Sequence, residues 1–277
     1  MAEIVGCFAA GHTPLFILRA DRPAPEVRRR VFGAFEGIGR ALVDRGAEAL
    51  VVFGNDHLQA FFLDRNPALA VGVASRFRAG RTEPWLPERN GGRPGDAALA
   101  TYLLTALLAD GFDPAACQEL ALDHSVVVPL YRMGDPPIPI VPVLQNTVAP
   151  PLAPATRAFE LGRAVRRALE AYRGARRVAV LATGGLSHWI GTPEMGKIDE
   201  AWDRRVIDLC VQGRADALAK WTQAEIDAGG NGGNEIRNYI AAAAAAGNTK
   251  ADVRVYQPEP LWYIGATIME WPIGPPC

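Results

Sequence analysis

Short apolar runs bounded by turn-forming residues alternate along this chain with longer stretches whose apolar positions recur at helical spacing. The runs predict strands over residues 3–10, 49–54, 68–74, 117–122, 138–144, 177–183 and 265–271. The longer stretches predict helices over 25–44, 95–110, 154–173, 197–213, 215–226 and 234–246, with a short helix from residue 125. In the first helix Val27, Val31, Phe35, Ile38 and Leu42 share one face, and Pro25 suits an early helical position. Ile198, Trp202, Val206 and Leu209 form a second such stripe. Alternating strands and helices imply the α/β class, as a single domain over 1–277. Its central sheet, mostly parallel or mixed, is flanked by helices, with the active site at the strand carboxyl ends.

Two segments depart from the pattern. Pro139 and Pro142 interrupt 138–144, which predicts an edge or irregular strand because proline cannot donate to a ladder. Residues 75–94, rich in Gly, Pro and Arg, predict a long loop able to act as a lid.

A chain of 277 residues, 49% of them hydrophobic, can bury a large core. Its formal net charge of -1 gives no general attraction to nucleic acid or anionic membrane, so a small-molecule partner is expected. Arginine clusters such as Arg28–Arg30 read as solvated helix faces. Cys7, Cys117, Cys210 and Cys277 form no C-x-x-C pair, which fits a reducing cytoplasm. The first residues lack the basic and long apolar regions of a signal peptide, and Ala241–Ala246 is far too short to span a bilayer.

The chemistry concentrates on four histidines, each beside a turn-forming or small residue near the end of an apolar run. His12 follows Ile4–Gly11, His57 follows Leu50–Asp56, His124 follows Leu120–Asp123, and His188 follows Val178–Ser187. Strands that end side by side would bring these imidazoles into one crevice. Two neutral imidazoles and one carboxylate hold a divalent metal on one face and leave the opposite positions open. His12 and His57 lead as the imidazole pair. Glu235 is the candidate carboxylate, preceded by glycines at 229, 230, 232 and 233 and by Asn234, which could cap the helix that Glu235 begins.

Plainer readings stand beside these. Glu235 alone could be an ordinary first-turn glutamate, with Glu225 and Asp227 as fallback carboxylates. Asp56 and Asp123 each precede a histidine and could orient it, or could be simple turn residues. Trp189, Trp262 and Tyr263 could line an aromatic substrate pocket or pack in the core. The glycine cluster lacks the Gly-Lys-Ser/Thr of a phosphate loop, and Ser187 lacks the glycine placement of a nucleophile elbow.

Gly-His-Thr-Pro at 11–14, Asn-Asp-His at 55–57, Leu-Asp-His at 122–124, Gly-Gly-Leu-Ser-His at 184–188 and Asn-Glu-Ile-Arg-Asn at 234–238 stand in order along the chain. Together with Pro-Val-Leu-Gln-Asn at 142–146, they resemble the class III extradiol ring-cleaving dioxygenases. The resemblance implies that His12, His57 and Glu235 bind Fe(II) while His124 and His188 handle protons off the metal. It implies a catechol-like vicinal diol and O2 as substrates, His188 as the base that deprotonates the diol, and His124 as the acid that assists O–O cleavage. Some relatives form homo-oligomers and others pair with a small helical subunit. A zinc- or iron-dependent relative with another activity, and a noncatalytic interaction protein on the same scaffold, are the rival readings.

Overall fold

The order of elements begins with β1 (Glu3–Ala10), α1 (Leu15–Leu18), α2 (Pro25–Asp44), β2 (Ala49–Gly54), β3 (Leu69–Gly72), β4 (Arg76–Ala79), β5 (Arg93–Pro94) and α3 (Ala97–Ala109). It continues through β6 (Ala115–Cys117), β7 (Ala121–Leu122), α4 (His124–Arg132), β8 (Ile140–Gln145), α5 (Ala155–Ala171) and β9 (Arg177–Thr183). The carboxyl-terminal part holds α6 (Glu200–Val211), α7 (Ala215–Leu218), α8 (Gln223–Asp227), a 3-10 turn (Gly232–Glu235), α9 (Ile236–Ala245), β10 (Asp252–Glu259) and β11 (Ile264–Trp271). The computed structural model describes residues 1–80, 83–88, 91–174 and 176–275; Cys277 lies outside them.

Eight strands form one sheet in the order β10-β11-β1-β9-β2-β8-β3-β6. Its centre, β1-β9-β2-β8, is parallel, while β11 runs antiparallel to β1 and β3 antiparallel to β8. Both faces of this centre are covered, which is why β2 reads as an unbroken apolar run rather than an alternation. On one face α2 buries Val31, Phe35, Ile38 and Leu42 with Phe8, Leu50, Val52 and Leu181. On the other, α3, α5 and α9 pack against Val51, Phe53, Val141 and Val180.

The alanine run 241–246 has its own explanation in this packing. Helix α9 is buried on every side, and a Cβ placed on Gly162 of α5 would stand 2.0 Å from the Ala241 carbonyl oxygen. Two helix backbones meet there, and only small side chains permit it.

Strand β8 corrects the edge expectation: it lies inside the sheet, between β2 and β3. Leu50 N–H donates to the Pro139 carbonyl, so the odd-numbered backbone groups of β8 turn toward β2 and the even-numbered ones toward β3. Pro142 therefore faces the β3 side, where pairing stops at Val71–Val143, and its missing N–H breaks no ladder bond. The segment 75–94 is not structureless either: β4 and β5 lie in it and form a small three-stranded sheet with β7. Residues 81–82 and 89–90 of that segment lie outside the described residues. The stretch 117–122 divides into β6 and β7, and 215–226 into α7 and α8.

Candidate active site

Three neighbouring parallel strands deliver the first part of the site. His12 lies two residues past β1, His57 three past β2, and the loop 184–188 leaves β9 between them. Glu235 closes the 3-10 turn ahead of α9, and its side chain reaches back over the ends of β1 and β2. Glu235 Oε1 stands 3.0 Å from His12 Nε2 and 3.2 Å from His57 Nε2, while Oε2 accepts the Gly185 N–H at 2.6 Å. His188 Nε2 is 3.8 Å from Oε2. Sequence positions 12, 57, 188 and 235 thus converge on one buried carboxylate.

The motif around Glu235 holds it there. Arg237 is buried and donates to the Ala153 carbonyl, to the Asn234 carbonyl and side chain, and to Gln223 Oε1. Asn238 donates to the Thr183 carbonyl and to Asn55 Oδ1 and accepts from Gln145, so α9 is tied to the ends of β9, β2 and β8. Tyr239 O–H donates to the Gly184 carbonyl at 2.8 Å. Asn234 does not cap α9: its amide bridges Asp227, Gln223 and Arg237 because the 3-10 turn, begun at Gly232, already carries the chain into the helix. The fallback carboxylates are engaged elsewhere, Glu225 in a capping box with Thr222 and Asp227 with Gln223 and Asn234.

Each imidazole has a defined environment. Asp123 accepts both the backbone N–H and Nδ1–H of His57, at 2.8 and 2.7 Å, and also caps α4 through Ser125 N–H. Asp123 therefore orients His57 across the site, not the His124 beside it in sequence. Among the described residues Asp56 hydrogen-bonds to no imidazole: its carboxylate accepts the backbone N–H groups of Gln59, Ala60 and Phe61 and shapes the turn after His57. His188 Nδ1 donates to the Leu186 carbonyl at 2.7 Å. His124 is held by Glu83, which sequence reasoning missed; Glu83 Oε1 lies 2.6 Å from Nδ1. Glu83 stands in the stretch read as a loop, and a lone glutamate there carried no signal.

The electrostatics follow from burial and these pairs. Burial lowers the pKa of His12 despite the opposing pull of Glu235, keeping this imidazole neutral. Burial works the same way on His57, but Asp123 and Glu235 outweigh it and raise its pKa to about 10. Burial would protonate Glu235, yet His12, His188 and His57 hold its carboxyl well below the usual range. Below the His188 turn, burial raises Asp203 to about 6 although Ser187 N–H and Tyr256 O–H donate to it.

His12, His57 and His124 each offer a ring nitrogen within 4.8 Å of the others, and these three could hold a metal ion. The His57 and His124 rings stack at 4.0 Å and 23°.

The three aromatic candidates take separate places. Trp262 is fully buried, its N–H donates to the Arg19 carbonyl, and it packs on Phe16 at 4.9 Å, so it belongs to the core. Tyr263 takes a left-handed backbone and accepts from Arg19 at 3.0 Å. Trp189 lies under the Lys197 ammonium at 4.4 Å. Among the described residues none of the three makes a ring contact with the imidazoles, whereas Trp85, absent from the expected set, lies 6.2 Å from the His124 ring. No helix among the described residues is long and apolar enough to cross a membrane.

Comparison with known proteins gives the family and the fold. The chain is 28% identical to the 2,3-dihydroxyphenylpropionate/2,3-dihydroxicinnamic acid 1,2-dioxygenase of Photorhabdus laumondii, over 96% of both proteins. It is 31% identical to the protein of the same name from Paraburkholderia xenovorans, over 95% of each. In fold it resembles the crystal structure of the uncharacterized protein JW3007 from Escherichia coli K12, with a TM-score of 0.62 at 17% identity, covering 96% of this chain and 99% of that one. The family model for the catalytic LigB subunit of aromatic ring-opening dioxygenase matches residues 6–265, and the chain belongs to that family.

Proposed function

We propose that this chain is an Fe(II)-dependent extradiol dioxygenase that opens the ring of a small vicinal aromatic diol with O2. The observation that carries the reading is the sharing of Glu235 Oε1 between His12 Nε2 and His57 Nε2, at 3.0 and 3.2 Å. Adjacent ligands at right angles about an ion with bonds of about 2.1 Å lie roughly 3 Å apart, so this donor set fits a metal bound on one face. Two nitrogens and an ionised oxygen also match the donor preference of iron(II) oxygenases.

In this reading His12, His57 and Glu235 are the ligands, and His124 stays off the metal. Its ring stacks on that of His57, with centroids 4.0 Å apart and planes 23° from parallel, beside the ion and not among its ligands in this reading. Bound Fe(II) would supply a Lewis acid for the two diol oxygens to chelate and the redox capacity that O2 chemistry needs.

The chain's own residues do the rest. Asp123 holds the proton on His57 Nδ1 and turns Nε2 inward, the nitrogen that would give up its proton to hold the metal. The Leu186 carbonyl does the same for His188, leaving its Nε2 to accept the diol proton as the substrate binds. His124, whose ring stacks on that of His57, would deliver a proton to the leaving oxygen during ring opening. The relatives direct the first substrate panel toward catechols that carry a short acidic side chain.

The test is oxygen uptake by anaerobically iron-loaded protein given 2,3-dihydroxyphenylpropionate, protocatechuate and unsubstituted catechol. Equimolar oxygen consumption and yellow ring-opened product are expected with at least one of them. Iron-loaded protein that consumes no oxygen with any vicinal diol contradicts the reading. The cluster of three imidazoles favours a second reading, a zinc-dependent activity, because such a set also suits Zn(II). Retention of zinc in place of iron, with no diol-dependent oxygen uptake, would support it.

A further inference from the structure

Glu83 is a buried carboxylate at the site with no part in the scheme above. It is 7% exposed, and both its oxygens are used on a single residue 41 positions later. Oε2 accepts the backbone N–H of His124 at 2.9 Å, and Oε1 lies 2.6 Å from its Nδ1. Asp123 grips His57 in the same manner, through the backbone N–H and Nδ1 together. A side chain held at both points cannot rotate about its first torsion or flip its ring without breaking a bond in a dry environment. His124 Nε2 makes no hydrogen bond among the described residues, while its ring lies against His57 and 5.6 Å from His12.

We propose that Glu83 is a positioning residue for His124: it keeps the proton on Nδ1, so every proton that His124 takes up or releases passes through Nε2 on the substrate side. The same short turn brings Trp85 beside the His124 ring, so one segment supplies both the orientation of the acid and an aromatic wall next to it. The catalytic consequence rests on the function proposed above; the tautomer assignment does not.

The experiment separates the two. In 15N-labelled protein, metal-free and Zn(II)-loaded, long-range proton–nitrogen correlations report which ring nitrogen of His124 carries the proton. His124→Asn identifies the His124 signals. The wild-type protein is expected to carry the Nδ1–H form at His124. Glu83→Gln, which keeps an acceptor oxygen, is expected to retain that form, and Glu83→Leu is expected to lose it.

In the iron-loaded enzyme Glu83→Leu is expected to lower kcat about ten- to a hundredfold with KM and iron content nearly unchanged, and Glu83→Gln to recover most of the rate. An Nε2–H form in the wild-type protein overturns the proposal. So does persistence of the Nδ1–H form in Glu83→Leu, or its loss in Glu83→Gln. Should the iron-loaded protein act on no diol, the function proposed above fails, and the tautomer measurements still decide the role of Glu83.

Discussion

Asp123 Oδ2 lies 2.7 Å from His57 Nδ1, although 66 residues separate them and Asp123 directly precedes a different site histidine. The bond joins the amino end of α4 to the loop after β2, so one carboxylate both caps a helix and aims an imidazole of the proposed metal site. Asp123→Ala removes both functions. Metal affinity is expected to fall about ten- to a hundredfold. Stability is expected to fall by about 1–3 kcal/mol, from the lost cap and the unsatisfied buried donors. Metal titration and urea unfolding check the two parts; unchanged affinity would remove Asp123 from the site.

Gly232 presses on His188. A Cβ at this position would stand 2.0 Å from Nε2 and 2.2 Å from Cδ2 of the imidazole, so Gly232→Ala must displace the ring that is proposed as the base. A displacement near 1 Å at a reacting group costs about a hundredfold in rate. The expected result is a loss of kcat of that order with bound iron retained. Full activity in this variant would take His188 out of the reaction.

Asp203 gives a pH dependence of known sign. Burial raises its pKa from 3.8 to about 6 in the folded protein, outweighing the bonds from Ser187 and Tyr256. A carboxyl raised on folding favours the native state most below its unfolded pKa, and that contribution is lost as pH climbs through about 6. The shift corresponds to about 3 kcal/mol at most. Across this window the unfolding free energy of the wild-type protein should drop relative to Asp203→Asn, whose side chain does not titrate. Urea unfolding of both proteins at a series of pH values measures the difference, and a constant difference contradicts the assignment.

The contact between α5 and α9 carries a structural prediction. Gly162→Ala forces a methyl group onto the Ala241 carbonyl and is expected to destabilise the protein by about 1–3 kcal/mol, the usual cost of overpacking a dense core. Because α9 follows directly from Glu235, iron affinity should fall as well. Thermal unfolding with and without iron tests both effects.

The strands and helices were legible where one physical signal dominated. Helix 25–44, with its one-sided apolar face, and strands 49–54 and 177–183, buried on both sides, have the boundaries their patterns predict. Strand β10 was not legible: Asp252–Glu259 alternates weakly, and only pairing with β11 makes it a strand. Pro142 misled because the rule that proline marks an edge assumes a ladder on both sides, and here pairing with β3 stops at Val71–Val143.

At the site, turn chemistry singled out the histidines and Glu235, since glycines and an abrupt end to an apolar run show in the sequence itself. Their partners did not show. Asp123 serves His57, and Glu83 serves His124, through contacts between segments 66 and 41 residues apart, which no local spacing encodes. The indoles were undecided for the same reason: tertiary packing alone places Trp262 in the core and Trp85 near an imidazole.

The central claim is that Glu235 completes an iron site with His12 and His57, and iron content tests it most directly. Wild-type protein, Glu235→Ala and His188→Ala are loaded anaerobically with Fe(II), freed of excess metal and assayed for bound iron and diol-dependent oxygen uptake. The account predicts full iron in the wild-type protein and in His188→Ala, with turnover lost in the latter, and loss of both iron and turnover in Glu235→Ala. Wild-type iron content and turnover in Glu235→Ala would contradict it.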